Sequence, residues 1–341
     1  MNQKRHHTFT ACCITALTAL SILIGGCGQS GNETASTPQP PENGKRVIAV
    51  VPKGTAHVFW QSVHAGAKTA GKELGVEIDW NGPQTETMKE MQISIVEDFI
   101  VRKVSGIVLA PQDNNAMVGV VEKAARGGIP TAIFDSGINT EQYLSFVATD
   151  NYKGGVAAAH ELAKRLNNKG TVIIIKVDPG SASTNDREKG FEDTLKESYP
   201  DIQVVGAQYG YSDREKSRAV TEDLLSANPD VDAIFGPNES STFGALLALQ
   251  ARGLAGKKTF VGFDSSDELT KALEDGEIHA LVLQDPFKMG YEGVKAIVQH
   301  LDGNPVERRI DTGVYVVTKE NMNEPANKLL LSPDLSILTE G

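Results

Sequence analysis

The residues of this chain best equipped for chemistry sit just beyond short apolar runs. The run ending at Val51 leads into Pro52-Lys53-Gly54-Thr55-Ala56-His57-Val58-Phe59-Trp60, and the run ending at Phe134 leads into Asp135-Ser136. Further along, Val177 is followed by a loop to Asn185-Asp186-Arg187, Phe235 by Gly236-Pro237-Asn238-Glu239, Phe263 by Asp264-Ser265, and Leu283 by Gln284-Asp285. Carboxylates, a guanidinium, amides and flat rings suit a polyhydroxylated ligand. Asp, Asn and Arg pair with hydroxyls, while rings cover the apolar C–H faces. Each residue also has a structural alternative. Taken singly, Asp135 and Asp264 read as helix caps or turn formers, but their matching positions in the two halves of the chain point to a shared role. Arg187 alone reads as a surface charge and Lys53 as an ordinary exposed lysine. His57 is open between a loop histidine and a hydrogen-bond donor. Phe59 and Trp60 are expected to divide, one ring facing the core and one the ligand.

Other chemistries lack their signatures. There is no Gly-x-Ser-x-Gly elbow, and Gly253-Leu254-Ala255-Gly256-Lys257-Lys258 has the wrong spacing for a phosphate-binding loop. His57, His64, His160, His279 and His300 are scattered with no cysteine partner, so a metal site and a cofactor are not expected. Paired Asp residues can cleave glycosides, but nothing in the sequence fixes their separation, and an enzyme remains only an alternative.

The elements that must position these residues are legible from periodicity. From Lys45 onward, β-rich apolar runs alternate with stretches of helical period, the pattern of a parallel sheet covered by helices. Strands are expected at 47–51, 76–80, 106–109 and 130–134, with a weaker run at 146–148. Between them lie a helix with Phe59, Val63, Ala67, Ala70 and Leu74 on one face, and helices at 88–102 and 115–126. The alternation restarts with helices at 152–166, 186–197, 213–227, 240–251 and 267–274, and strands at 171–177, 202–209, 233–235, 259–263 and 280–283. Ser212 with Glu215 and Ser265 with Glu268 have capping-box spacing. The runs are continuously apolar, as strands buried on both faces should be. The expected fold is α/β, as two doubly wound parallel-sheet lobes, with ligands beyond the carboxyl ends of the strands.

Charge and cysteine content bound the partners. The chain carries 33 Lys and Arg against 44 Asp and Glu, a net −11, which becomes 31 against 44, or −13, without Lys4 and Arg5. So acidic a surface repels phosphate backbones, which disfavours nucleic acid. Cys12, Cys13 and Cys27 all precede the expected folded body, which therefore contains no cysteine.

Taken together, Phe59-Trp60 with Gly66-Ala67, Asp135, Thr149-Asp150-Asn151 with Gly154-Gly155, Arg187 with Gly190-Phe191, Asn238 with Gly244-Ala245-Leu246, Val261-Gly262-Phe263-Asp264 and Gln284 resemble the type I periplasmic sugar-binding proteins, the family of the ribose-binding protein, from about Lys45 to Lys319. The resemblance implies that Phe59, Trp60 and an aromatic near Tyr211 sandwich a sugar ring, and that Asp135, Arg187, Asn238, Asp264 and Gln284 bond its hydroxyls. Phe263 belongs to the same motif. Ser136 stands where ribose binders have Arg, and His57 replaces an Asn. Lys53, Asp135 and Pro237 are similar to ligand-contact positions of autoinducer-2 binding proteins, whose Asp-Gln pair is replaced near Asn185-Asp186-Arg187. The resemblance further implies a three-segment hinge near Thr149, Asp285 and Asp311. One lobe then comprises residues 45–149 plus 285–311, and the other 150–284 plus 312–320. The tail from 321 to 341 has little pattern.

The chain's start fixes where such a protein works. Lys4 and Arg5 precede an apolar run from Ala11 to Ile24, a signal-peptide core too short to span a bilayer comfortably. Ile24-Gly25-Gly26-Cys27 resembles a bacterial lipobox, which implies that residues 1–27 form a lipoprotein signal peptide, cut just before Cys27, and that this cysteine is acylated and becomes residue one. Residues 28–44, rich in Gly, Ser, Thr, Asn and Pro, then form a tether. The expected protein is a monomeric receptor in the periplasm or cell envelope, attached to the membrane by its lipid. It binds a small sugar or polyol and hands it to the permease of an ABC transporter. The alternative is a sugar or autoinducer-2 sensor feeding a signalling receptor. A repressor core would need a basic helix-turn-helix where this chain has its leader.

Overall fold

The computed structural model describes residues 44–340, so Cys27, the leader and nearly all of the expected tether lie outside the described residues. The first half forms β1 (Val47–Val51), α1 (Val58–Leu74), β2 (Glu77–Trp80), α2 (Lys89–Val101), β3 (Gly106–Leu109), α3 (Val118–Arg126), β4 (Thr131–Phe134) and β5 (Ser145–Ala148). The second forms α4 (Asn151–Arg165), β6 (Gly170–Lys176), α5 (Ala182–Ser198), β7 (Ile202–Tyr209), α6 (Arg214–Ala227), β8 (Ala233–Phe235), α7 (Glu239–Ala251), β9 (Thr259–Phe263), α8 (Asp267–Asp275) and β10 (Ala280–Leu283). The chain then adds α9 (Pro286–Leu301), β11 (Arg309–Asp311), β12 (Tyr315–Val317) and α10 (Pro325–Leu331).

These strands make two six-stranded sheets of matching order, β2-β1-β3-β4-β5-β11 and β7-β6-β8-β9-β10-β12. All pairings are parallel except β10 with β12. Burial explains the continuous apolar runs. In β1, Ile48 and Val50 enter the core on one face of the first sheet, while Ala49 and Val51 enter the core on the other. In β6, Ile173 and Ile175 face one core, Val172 and Ile174 the opposite one. Side chains alternate across a strand, so a sheet covered by helices on both faces has no polar side.

Two capping expectations shift by one residue. Asp213 rather than Ser212 caps α6, accepting from Lys216 N, and Ser266 rather than Ser265 caps α8, accepting from Leu269 N. Helix α5 begins at Ala182, four residues before the expected Asp186, so the approach to Arg187 is helical rather than loop. Helix α9 is not among the expected elements, although Asp285 caps it and Pro286 occupies its first position, a recognised start signal. Helix α9 returns the chain to the first sheet, packing on α1 and on β3, β4 and β5. The tail also has structure. Leu331 and Met322 enter the second-sheet core, after which a 3-10 turn at Ser336–Leu338 packs on α1. There Lys68 Nζ donates to the Glu340 carbonyl at 2.7 Å and Lys72 pairs with the Glu340 carboxylate at 3.2 Å. The chain end therefore straps the second lobe to the first.

Candidate functional site

The sheets place their carboxyl ends toward a common cleft. Asp135 follows β4 and Asp264 follows β9, and both adopt left-handed backbone, φ 59° and 63°. Each main-chain N–H bonds to the neighbouring strand, Asp135 to Val147 O at 3.0 Å and Asp264 to Val282 O at 2.9 Å. The left-handed turn ends each strand abruptly while keeping that ladder bond. Asp tolerates such a turn better than most residues, and strain of this kind concentrates at functional sites.

Arg187 lies between the two carboxylates. Its side chain is only 2% exposed, with NH2 4.0 Å from Asp135 and NH1 3.8 Å from Asp264. Those distances are ion pairs but too long for direct hydrogen bonds. The guanidinium is held instead by Asn151 Oδ1 at 2.8 Å and Pro237 O at 3.0 Å, and it rests over the Phe263 ring 4.2 Å from its centroid. Helix packing fixes its depth. A Cβ on Gly155 of α4 would stand 2.0 Å from Arg187 O, so α5 approaches this closely only because Gly155 lacks one.

Lys53 reaches across from the first lobe. It is buried, pairs with Asp135 Oδ2 at 2.9 Å and donates to Ser183 Oγ of the second lobe at 3.0 Å. Its loop is pinned by Gln92, whose Nε2 donates to Pro52 O at 2.9 Å and to Ala110 O at 2.8 Å. His57 pairs with Glu239 across the cleft, Nδ1 to Oε2 at 2.9 Å, and Glu239 also binds Arg214. Burial lowers the His57 pKa, but the hydrogen bond and charge of Glu239, with Glu86, outweigh it and Arg214, leaving the pKa above 6.5. Burial likewise raises the Glu239 carboxyl, and His57 and Arg214 more than offset this to leave it low. Asp264 behaves oppositely. Burial pushes it up to about 6, against the pull of Arg187 and the hydrogen bond from Gln284, with Asp135 and Glu239 adding to the rise.

A cavity opens among these groups, lined by Lys53, His57, Phe59, Trp60, Asp135, Arg187, Asn238, Asp264 and Gln284 of the expected residues. The rings do not divide as expected: Phe59 and Trp60 both line the cavity and both belong to the first-sheet core, edge to face at 4.8 Å. Three expected residues stand off the wall. Ser136 is fully buried and its Oγ accepts from Ser183 N at 3.1 Å, so it joins the lobes instead of facing the cavity. Phe263 backs Arg187 from within the core, because alternation along β9 turns its ring inward. Tyr211 is 42% exposed and lies beside Tyr209 and Lys216, because the left-handed turn at Tyr211 and Ser212 directs the next residue, Ser212, inward. Sequence reasoning missed Glu86, Ser183, Thr184 and Ser240 on the wall, and passed over Glu239 although it adjoins Asn238. Glu86 lies in a loop without periodicity, so only its place after β2 signals it.

A match to the periplasmic binding protein domain runs over residues 48–305, well over half of the chain. The chain belongs to the periplasmic binding protein family. Members of that family capture ligands and are not enzymes. This periplasmic binding protein is 32% identical over 296 residues to a D-ribose/D-allose-binding protein of Pseudomonas aeruginosa, covering 83% of this chain and 91% of that one. It is 29% identical to the ribose import binding protein of Escherichia coli, covering 81% and 92%. Among solved structures, a carbohydrate transporter solute-binding protein from Agrobacterium radiobacter in complex with D-arabinose matches with TM-score 0.83 and 36% identity, covering 85% of this chain and all of that one. A solute-binding protein from Agrobacterium vitis with bound D-fucose matches with TM-score 0.81 and 37% identity over 84% and 99%.

Proposed function

We propose that this periplasmic binding protein captures one neutral monosaccharide or polyol between its lobes and delivers it to the permease of an ABC importer. The observation that carries the reading is incomplete pairing inside the cleft. Arg187 stands 4.0 and 3.8 Å from its carboxylate neighbours, and Gln284 Oε1 is buried with no protein partner. Buried polar groups are normally satisfied. Vicinal hydroxyls, each donor and acceptor, match a carboxylate, guanidinium, carboxylate row, while Phe59 and Trp60 offer apolar surface to a ring. The pairings of Lys53 and His57 leave little uncompensated positive charge, which disfavours sugar acids and phosphates.

The lobes, 45–149 plus 285–311 and 150–284 plus 312–320, close about the crossings near Thr149, Asp285 and Asp311. A ligand contacting both drives that closure because the full set of contacts exists only when the lobes meet. Acylation of Cys27 anchors the receptor outside the cytoplasm, with residues 28–44 as tether. The reading is tested by a thermal-shift and calorimetric screen of D-ribose, D-allose, D-arabinose, D-fucose, simple polyols and autoinducer-2. At least one monosaccharide is expected to raise Tm and titrate at a single site, and a flat response to all sugars overturns it. Labelling with a fatty-acid analogue, lost in Cys27→Ser, tests the anchor.

A further inference from the structure

Glu86 stands where the aromatic wall of the cleft meets its amide wall. It belongs to the first lobe, in the loop between β2 and α2, and lines the cavity. Its Oε1 accepts the Trp60 indole N–H at 2.9 Å, a bond within one lobe. Its Oε2 accepts the Ser212 hydroxyl at 3.0 Å, a bond between lobes. Ser212 Oγ in turn accepts from Asn238 Nδ2 at 3.2 Å. Donors and acceptors agree at every step, since an ionised carboxylate only accepts and a hydroxyl does both. Asn238 Oδ1 is committed to capping α7 through Ser241 N at 2.9 Å, so the amide cannot rotate. One Nδ2 hydrogen goes to Ser212 and the other remains for the cavity. Ser212 is aimed by two consecutive left-handed residues, Tyr211 at φ 56° and Ser212 at φ 52°. Strained backbone of this kind clusters at ligand-binding sites.

We propose that Glu86 is a positioning residue that couples the ring platform of one lobe to the ligand-facing amide of the other. It holds Trp60 whether or not the lobes are together, and through Ser212 it fixes Asn238 only when they meet. A ligand stacked on Trp60 therefore stabilises closure through Glu86 as well as through its own contacts. Other bonds that span the cleft, among them Lys53 with Ser183, Ser136 with Ser183 and His57 with Glu239, engage neither Trp60 nor Asn238.

The proposal rests on the sugar reading, and one experiment separates the two. Stopped-flow fluorescence on the full chain, with whichever of D-ribose, D-allose, D-arabinose or D-fucose binds the wild type, gives association and dissociation rates for Ser212→Ala, Glu86→Ala and the double variant. Loss of a contact made only after docking raises dissociation by about tenfold and leaves association within about twofold. The double variant dissociates no faster than Glu86→Ala, because both changes cut one chain. In the ligand-free protein, Glu86→Ala shifts the Trp60 indole N–H resonance, assigned with Trp80→Phe, and Ser212→Ala shifts it far less. If wild type binds but dissociation is unchanged in folded variants, or if their effects add, the proposal fails alone. An unmoved Trp60 resonance in Glu86→Ala also overturns it. If no sugar binds the wild type, the reading of the cleft falls first and takes the proposal with it.

Discussion

Asp264 carries the clearest conflict between stability and function in this molecule. Its pKa is pushed from the ordinary 3.8 up to about 6, first by burial. The unfolded chain loses this proton at lower pH, so the native state holds more protons between those values. Stability therefore falls as pH rises through that window and stays lowered above it. At 1.36 kcal/mol per pH unit, the whole effect is ~3 kcal/mol. Asp264→Asn is expected to stabilise the ligand-free protein at about pH 7.5 by up to that amount, to do little at about pH 4, and to abolish sugar binding. Thermal melts at both pH values with calorimetry check this, and destabilisation at the higher pH would contradict it. His57 has the same sign, over a higher window. Its raised pKa means that the bond to Glu239 contributes fully below 6.5 and is lost as pH rises through the raised value. The charged groups facing it are Glu239, Glu86 and Arg214. Sugar affinity should weaken as pH climbs through that raised value, and His57→Asn should flatten the profile; an equally steep profile in the variant would place the titration elsewhere. At this scale the residue types at the strand ends were legible, because chain direction in a parallel sheet puts them at one edge. Ser136, Tyr211 and Phe263 were not, because neighbours in sequence point to opposite sides of a turn or strand.

At the scale of elements, the close approach of α4 and α5 sets the position of Arg187. Gly155→Ala would place a methyl 2.0 Å from Arg187 O, and such overpacking against backbone costs about 1–3 kcal/mol. The variant is expected to melt lower and to lose sugar affinity far beyond what its lower stability explains, since the guanidinium leaves its place between the carboxylates. Wild-type affinity in a folded Gly155→Ala protein would show that α5 is free to adjust. Strands read well from sequence because short runs of four or five apolar, largely β-branched residues bounded by turn residues fit strands buried on both faces. The start of α5 did not, because Ser181 to Asn185 is a polar run. It is helical in part because Ser181 and Ser183 are buried under Lys53, a contact between lobes. Helix α9 has a legible start in Asp285-Pro286.

For the whole molecule, the chain end adds a connection beyond the three chain crossings between the sheets. Residues after α10 leave the second-sheet core and fasten to α1 through Lys68 and Lys72. Removing residues 333–341 should leave both sheets folded, widen the ligand-free particle in small-angle scattering and weaken sugar binding modestly, because contacts that help hold the lobes together are lost. Unchanged scattering and affinity would mean that the strap follows the lobes equally in every state. By itself, the sequence determined the α/β class, the duplication of a doubly wound sheet and the set of strand-end polar residues, because periodicity and strand direction are local properties of a chain. Only the tertiary structure decided that Asp135, Arg187 and Asp264 converge, that Glu86 and Glu239 join the cleft, and that the patternless tail is a strap. Those outcomes depend on how two separately legible lobes meet, and contacts between distant segments leave no local period to read.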